Sequence, residues 1–119
     1  MLQEFHPGDF LIFQLESGFA LLRVLDFTQS DGEIVWHVAA YRDFFLEVEM
    51  AEQAISNPST LHVEIPHVAL TDRAFESTQV SRLGSVSLTD EEIRPYDAWQ
   101  SSDDRHVSDR SIRLLMGLR

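Results

Sequence analysis

The chain has 119 residues, a hydrophobic content of 44% and a formal net charge of −11, with 20 acidic and 9 basic side chains and no cysteine. This length and composition predict one domain over residues 1–119 with a packed core, and they exclude disulfides and thiolate metal sites. The negative charge argues against nucleic-acid partners and anionic membranes, because it would repel their phosphates.

Residues 5–45 predict a β-meander, since three apolar runs are separated by two turn signals. The predicted strands are Asp9–Leu15, Phe19–Phe27 and Glu33–Tyr41. Pro7 and Gly8 precede them and predict a type II turn. Gly18 and Gly32 lie in the two connections, where tight turns often need a positive φ.

Both faces of the predicted meander are apolar. In the first strand, alternation places Leu11, Phe13 and Leu15 opposite Phe10 and Ile12. In the second, it places Phe19, Leu21, Leu25 and Phe27 opposite Ala20, Leu22 and Val24. In the third, it places Ile34, Trp36, Val38 and Ala40 opposite Val35, His37, Ala39 and Tyr41. One face should line the core. The other should be covered by later segments or by a second chain, which predicts a possible homodimer.

Arg23 interrupts the apolar pattern of the second strand. A buried arginine needs a carboxylate partner, and Asp9, Asp26 and Glu33 are within plausible reach. The favoured interpretation is instead that this strand end bends towards solvent and leaves Arg23 hydrated.

Residues 43–57 fit two structures, because their apolar residues alternate as in a strand while the second half is rich in helix formers. A short helix over Val48–Ser56 is favoured, and a continued strand is the alternative.

Leu61–Leu70 predicts a further strand. Its apolar parity changes at Pro66, which places this proline at a sheet edge or a bulge.

The remaining segments are shorter. Residues 71–73 predict a turn, Ala74–Leu83 a short helix or loop, and Ser85–Leu88 a short last strand. An amphipathic helix is expected over Ser108–Leu118, ended by Gly117.

A helix start is predicted at Thr89. Thr89 as N-cap and Glu92 three residues later form a capping-box pattern. Pro95 comes too late for a first-turn proline and is expected to limit this helix. Tyr96 and Trp99 could then cover apolar surface.

The order of these elements, with the meander first and the helices late, predicts a mostly β fold. The closest class is a small SH3-like antiparallel barrel or a strongly curved sheet with a few short helices, and α+β is the broader alternative.

No sequence motif for catalysis, cofactor binding or metal binding is present. His62 and Glu64 have the spacing to share a strand face, with His67 beyond Pro66 and His37 in a neighbouring run, so a His/carboxylate site is conceivable. Histidines with ordinary hydrogen-bond partners or in solvent are the default. We therefore predict no catalytic, cofactor or metal site.

Acidic side chains concentrate after residue 89. The candidate partner-binding residues are Asp90, Glu91, Glu92, Asp97, Asp103 and Asp104. A general acid/base pair among them would be an alternative. A helix cap and a solvated surface explain them without catalysis.

The opening of the chain contains three short motifs, Gly8-Asp9-Phe10, Leu15-Glu16-Ser17-Gly18-Phe19-Ala20 and Arg23-Val24-Leu25. Together they resemble the start of the Imm26-like immunity proteins of bacterial polymorphic toxin systems, over roughly the first quarter of the chain. The resemblance implies a cytoplasmic, non-catalytic protein that binds and blocks a toxin.

Three functions follow as expectations. The first is an acidic protein-binding module, such as an immunity protein, whose partner has a basic face. The second is a self-associating structural or regulatory subunit. The third is a small enzyme with a carboxylate or histidine site. A cytoplasmic location fits an N-terminus without a signal-peptide pattern and a sequence without a bilayer-spanning apolar stretch.

Overall fold

The computed structural model describes residues 4–118, so both ends of the predicted 1–119 domain lie outside the described residues. The strands are β1 Asp9–Gln14, β2 Phe19–Ser30, β3 Glu33–Phe45, β4 Val63–Thr71 and β5 Ser81–Ser85. The helices are α1 Val48–Ile55, α2 Asp72–Glu76, α3 Asp90–Ser101 and α4 Ile112–Leu115, with a short 3-10 turn over Pro58–Thr60. All strands form one antiparallel sheet in the order β4-β3-β2-β1-β5.

This architecture confirms the mostly β prediction in its curved-sheet form. β4 and β5 form the two edges of the described sheet, which is therefore open and not closed into a barrel. The first three strands form the predicted meander. The finer assignment to the SH3-like class stays a prediction.

The glycines of the turns serve two different needs. Gly8 has φ 96° in the predicted turn, and Gly32 has φ 80° next to Asp31 at φ 53°, so both glycines supply a left-handed conformation. Gly18 is not in the positive-φ region, and that prediction is wrong. A Cβ at Gly18 would come within 2.5 Å of the Phe45 carbonyl oxygen, so this glycine is required for close packing.

Helices cover both faces of the sheet. One face packs against Phe75 of α2 and Ile112 of α4, and the other against Ile55 of α1 and Tyr96 of α3. Alternation places the apolar strand residues as predicted, with one exception. Phe27 lies on the face of Trp36, with ring centroids 5.5 Å apart, because a bulge at Leu25 reverses the parity.

The apolar residues that motivated a homodimer are covered by the chain itself. Phe10 is fully buried and Ile12 is nearly so, both beneath the cluster that includes Ala51 and Ile55 of α1. The homodimer therefore stays a prediction, and it needs a different surface.

Residues 43–57 contain parts of both predicted structures. β3 continues to Phe45, and α1 then begins at Val48, as the favoured interpretation has it.

The prediction that Pro66 lies at a sheet edge or a bulge is confirmed, since both are present. β4 is an edge strand. Between the paired positions Val38–Val68 and Ala40–Ile65, β4 has one residue more than β3, which is a bulge at Pro66.

Two predictions for residues 71–88 are wrong. The expected turn at 71–73 is the start of α2, because the Thr71 hydroxyl accepts a hydrogen bond from the Ala74 amide at 3.1 Å and caps the helix. The last strand is Ser81–Ser85 and not Ser85–Leu88. The segment after Ser85 leaves the sheet, since the Val86 and Ser87 carbonyls turn to Arg23.

The two C-terminal helices also differ from expectation. α3 does not end near Pro95 but continues to Ser101, because Tyr96 and Trp99 beyond the proline pack against the sheet. α4 is shorter than predicted and is capped by Ser111, while Gly117 follows it at φ 70° as expected.

Candidate functional site

Arg23 is the centre of a buried polar cluster between the sheet and α3. Its side chain is 1% exposed, and Nη1 lies 2.7 Å from Oε2 of Glu92. Nε donates to the Gly8 carbonyl at 3.1 Å and Nη2 to the Val86 carbonyl at 2.6 Å, while the guanidinium lies 4.1 Å from the Phe10 ring centroid. The expectation of a hydrated Arg23 is therefore wrong.

The position of Arg23 in the strand explains its burial. It lies on the face that α1 and α3 cover, so its guanidinium remains among packed groups and each N–H needs an acceptor. Gly8 permits the close approach, because a Cβ there would lie 2.7 Å from the Val86 oxygen. The partner is Glu92, and not Asp9, Asp26 or Glu33.

Glu92 links this cluster to the start of α3. Its Oε1 accepts a hydrogen bond from the Thr89 amide at 2.9 Å, and the Thr89 hydroxyl accepts one from the Glu92 amide at 3.2 Å. The predicted capping box is thus confirmed. Because the same carboxylate binds Arg23, the N-terminal end of α3 is fixed to the sheet.

The other half of α3 rests on two histidines. His37 of β3 is fully buried, and its Nδ1 lies 3.0 Å from Nε2 of His67 on β4. Tyr96 and Trp99 of α3 lie over the His37 ring, with centroids 4.4 Å and 4.7 Å away. Burial, together with the neighbouring His67, lowers the pKa of His37 from 6.5 to about 4, so both rings are neutral at pH 7.

An apolar cleft of about 830 Å³ lies between α3 and residues 57–63. Sheet residues form its floor, and five residues of α3 line its wall: Glu91, Glu92, Arg94, Pro95 and Ala98. Glu91, Pro95 and Ala98 are spaced at i, i+4 and i+7 on one helix face. Leu25, Ala39 and Tyr41 contribute the floor, and Leu61 and Val63 the opposite side. A concave, largely apolar surface with a few polar groups is typical of a binding site.

A second cavity, of about 840 Å³, lies beside β1 and β5. The two arginines that line it already have partners, since Arg82 lies 3.2 Å from Asp9 and Arg113 donates to the Gln14 carbonyl at 2.9 Å. The cleft beside α3 is the stronger candidate, because two of the acidic residues that the sequence singles out, Glu91 and Glu92, line it.

Five of the six candidate acidic residues are exposed. Asp90, Glu91 and Asp97 lie on α3, and Asp103 and Asp104 follow it. Glu92 does not belong to this surface, because it is bound internally to Arg23 and to the N-cap. We call the five exposed acids, together with the cleft, the α3 surface.

The histidines and Glu64 do not form one site. His62 is exposed and its Nδ1 lies 2.9 Å from Oδ1 of Asp43, which lowers the pKa of that carboxyl despite some burial. Glu64 is exposed, whereas His37 and His67 form a separate pair. Within residues 4–118, no group of three or more His, Asp or Glu side chains is arranged to hold a metal ion.

The sequence drew attention to Arg23, His37 and His67, but it did not predict the Arg23–Glu92 and His37–His67 contacts or the place of Tyr41 beside the cleft. A charged residue in an apolar strand was a signal for Arg23, but its partner lies 69 residues away in the chain. The Pro66 bulge hid the meeting of the two histidines, because it reverses the alternation before His67.

Comparison with protein-family models, with curated proteins and with solved structures finds no match for this chain. None of the helices described over residues 4–118 has both the length and the apolar character needed to cross a bilayer.

Proposed function

We propose that the protein is a non-catalytic binding module whose α3 surface docks a protein with a basic face. The observation that carries this proposal is that α3 both exposes acidic side chains to solvent and lines an apolar cleft. Asp90 and Asp97, seven residues apart on the helix, are exposed to solvent, while Pro95 and Ala98 line an apolar cleft.

The two parts of the surface have different roles in this proposal. An apolar or aromatic side chain of the partner enters the cleft and supplies most of the affinity, as anchor residues do in other interfaces. The acidic groups steer a basic protein towards the cleft and raise its association rate. Glu91 belongs to both parts, since it is exposed and also lines the cleft.

The resemblance to the Imm26-like immunity proteins makes a toxin the first partner to test. A nuclease-type toxin has a basic face because it binds nucleic acid, and it would therefore complement the charge of −11. A cytoplasmic immunity protein of the SH3-like class is the specific form of this proposal.

The test is the association rate with a basic candidate partner, beginning with the product of the adjacent gene, as a function of ionic strength. The rate should fall as salt rises, and the double variant Glu91→Lys/Asp97→Lys should slow association about tenfold or more at low salt. The matched control, Glu49→Lys/Glu52→Lys on α1, makes the same change in net charge away from the cleft and should slow it less.

A rate that does not depend on salt, or equal slowing by the two double variants, would reject the α3 surface as the docking site. Tight binding to duplex DNA at physiological salt would reject the proposed class of partner.

A self-associating subunit is the second candidate. It is supported by three exposed apolar side chains in one short stretch, Phe44, Leu46 and Met50, with exposed fractions of 45%, 66% and 48%. Exposed apolar groups that lie together often mark contacts between chains. We call these three residues the Phe44 patch.

A further inference from the structure

The His37–His67 contact imposes a limit on protonation. The two nitrogens are 3.0 Å apart, so one must donate a hydrogen and the other must accept it. Nε2 of His37 also lies 3.3 Å from the Thr28 hydroxyl, which can accept or donate as the tautomer requires. One added proton leaves this arrangement intact. A second would place two N–H groups against each other, and the contact would break.

The surroundings of the pair favour its neutral form. Asp26 on β2 is the negative group that raises the pKa of His37, but burial and His67 lower it more. On the side of α3, burial and the neighbouring carboxylates Asp26 and Asp97 together raise the pKa of Tyr96 to about 12, so its ring faces the pair uncharged. The pKa of His67 on β4 is lowered by burial as well.

α3 is attached to the sheet at two places with different chemistry. Arg23 and Glu92 hold its N-terminal end with a charged pair. Its C-terminal half is held by Tyr96 and Trp99, which pack on the two imidazoles. Only the second attachment contains histidines.

We infer that the His37–His67 pair is a proton-operated latch for the C-terminal half of α3, and that acidification frees this half and dismantles the wall of the cleft. The inference rests on the proposed function for its consequence, the loss of partner binding at acid pH. The latch itself concerns the free protein.

The direction of the pH dependence follows from linkage. With α3 docked, the pair resists protons, whereas histidines released to water bind them near pH 6.5. The released state therefore gains protons first as the pH falls. The stability that the pair gives to docking is fully present above pH 6.5 and is lost progressively as the pH falls towards 4.

Hydrogen exchange of the free protein tests the latch. Between pH 7 and pH 5, exchange at the α3 amides, corrected for intrinsic rates, should rise about tenfold or more, since each unit of pKa difference is a factor of ten. The α1 amides should change much less. The variant His67→Gln keeps a donor and an acceptor but does not titrate, so it should reduce the pH dependence at α3 to the part that the buried His37 supplies. His62→Gln, at the exposed histidine preceding β4, should preserve it.

Equal changes in α1 and α3 would indicate global unfolding and would overturn the latch, as would unchanged pH dependence in His67→Gln. If that variant does not fold, NMR titration of the wild-type imidazoles decides the question, because two rings that both titrate near 6.5 contradict the inference. No partner is present in these measurements. A failed latch therefore leaves the proposed function standing, and a failed partner assay leaves the latch standing.

Discussion

The side chains of Arg23 and Glu92 together connect the sheet, the segments next to it and the N-terminal end of α3. The guanidinium of Arg23 bonds to carbonyl oxygens before β1 and after β5 as well as to the carboxylate of α3. Its five donors in a planar fork suit this set of acceptors, which the single ammonium of a lysine would not match. Removing one partner of such a pair is more damaging than the modest net value of the pair suggests, because a buried charge is left without compensation.

Replacing Glu92 by alanine should therefore lower the free energy of unfolding by roughly 3 kcal/mol, the lower end of the range for a broken buried pair, because the Glu92 side chain is itself 27% exposed. Urea denaturation measures the change. Glu91→Ala, one residue earlier and exposed, is the control and should stay within about 0.5 kcal/mol. Equal losses in the two variants would contradict the role given to the pair.

The residue scale is where the sequence is least informative. The Thr89–Glu92 capping box could be predicted because both partners lie within one helical turn. The Arg23–Glu92 and His37–His67 contacts could not, because they join residues that are 69 and 30 positions apart. Single-sequence patterns indicate which face a side chain occupies but not which distant element will cover it.

At the scale of elements, α3 is unusual because it passes through a proline. Pro95 has no N–H to donate to the Glu91 carbonyl, so the helix lacks one of its hydrogen bonds. The capping box at Thr89 and the burial of Tyr96 against Leu25 and Ala39 compensate for this loss.

We expect Pro95→Ala to raise the free energy of unfolding by about 1–3 kcal/mol, since proline is about 3 kcal/mol less favourable than alanine inside a helix. Ala98→Gly, one turn later on the same face, is the opposite control and should lower it by about 1 kcal/mol. Both changes can be measured by urea denaturation. A loss of stability in Pro95→Ala would show that packing of the ring beside the cleft outweighs its backbone cost.

Element types could be predicted where apolar periodicity is long and regular. The three strands of the meander and the face of nearly every apolar residue in them follow from alternation, up to the bulge at Leu25 that turns Phe27 to the other side. α2 and β5 were misplaced because each has only five residues, too few for a period to show. Their structure depends on tertiary contacts, such as the pairing of β5 with β1.

At the scale of the whole molecule, net charge separates the two modes of association considered above. Two copies that meet at the Phe44 patch would each carry a charge of −11, whereas a basic partner at the α3 surface would meet an opposite charge. Salt screens both interactions, with a Debye length of about 10 Å at 0.1 M and about 3 Å at 1 M. Self-association should therefore strengthen with salt and partner binding should weaken.

The predicted homodimer can be tested in this way. Sedimentation equilibrium at tens of micromolar should show a dimer that tightens between about 0.05 M and about 0.5 M salt. Leu46→Glu should abolish it, because a charge then enters the contact, while Val63→Glu at the cleft should not. A monomeric mass at both salt concentrations, or equal effects of the two variants, would exclude a dimer through the Phe44 patch.

The pairing of β1 with β5 has a consequence for the order of folding during synthesis. β1 precedes the other described strands in the chain, and five of its six residues are buried in the folded protein. β2 can pair with one of its edges early, but the other edge must wait until residues 81–85 have been made. Until β5 emerges, the nascent chain therefore carries an apolar strand with one unpaired edge, and this interval is when chaperone contact or misassembly is to be expected.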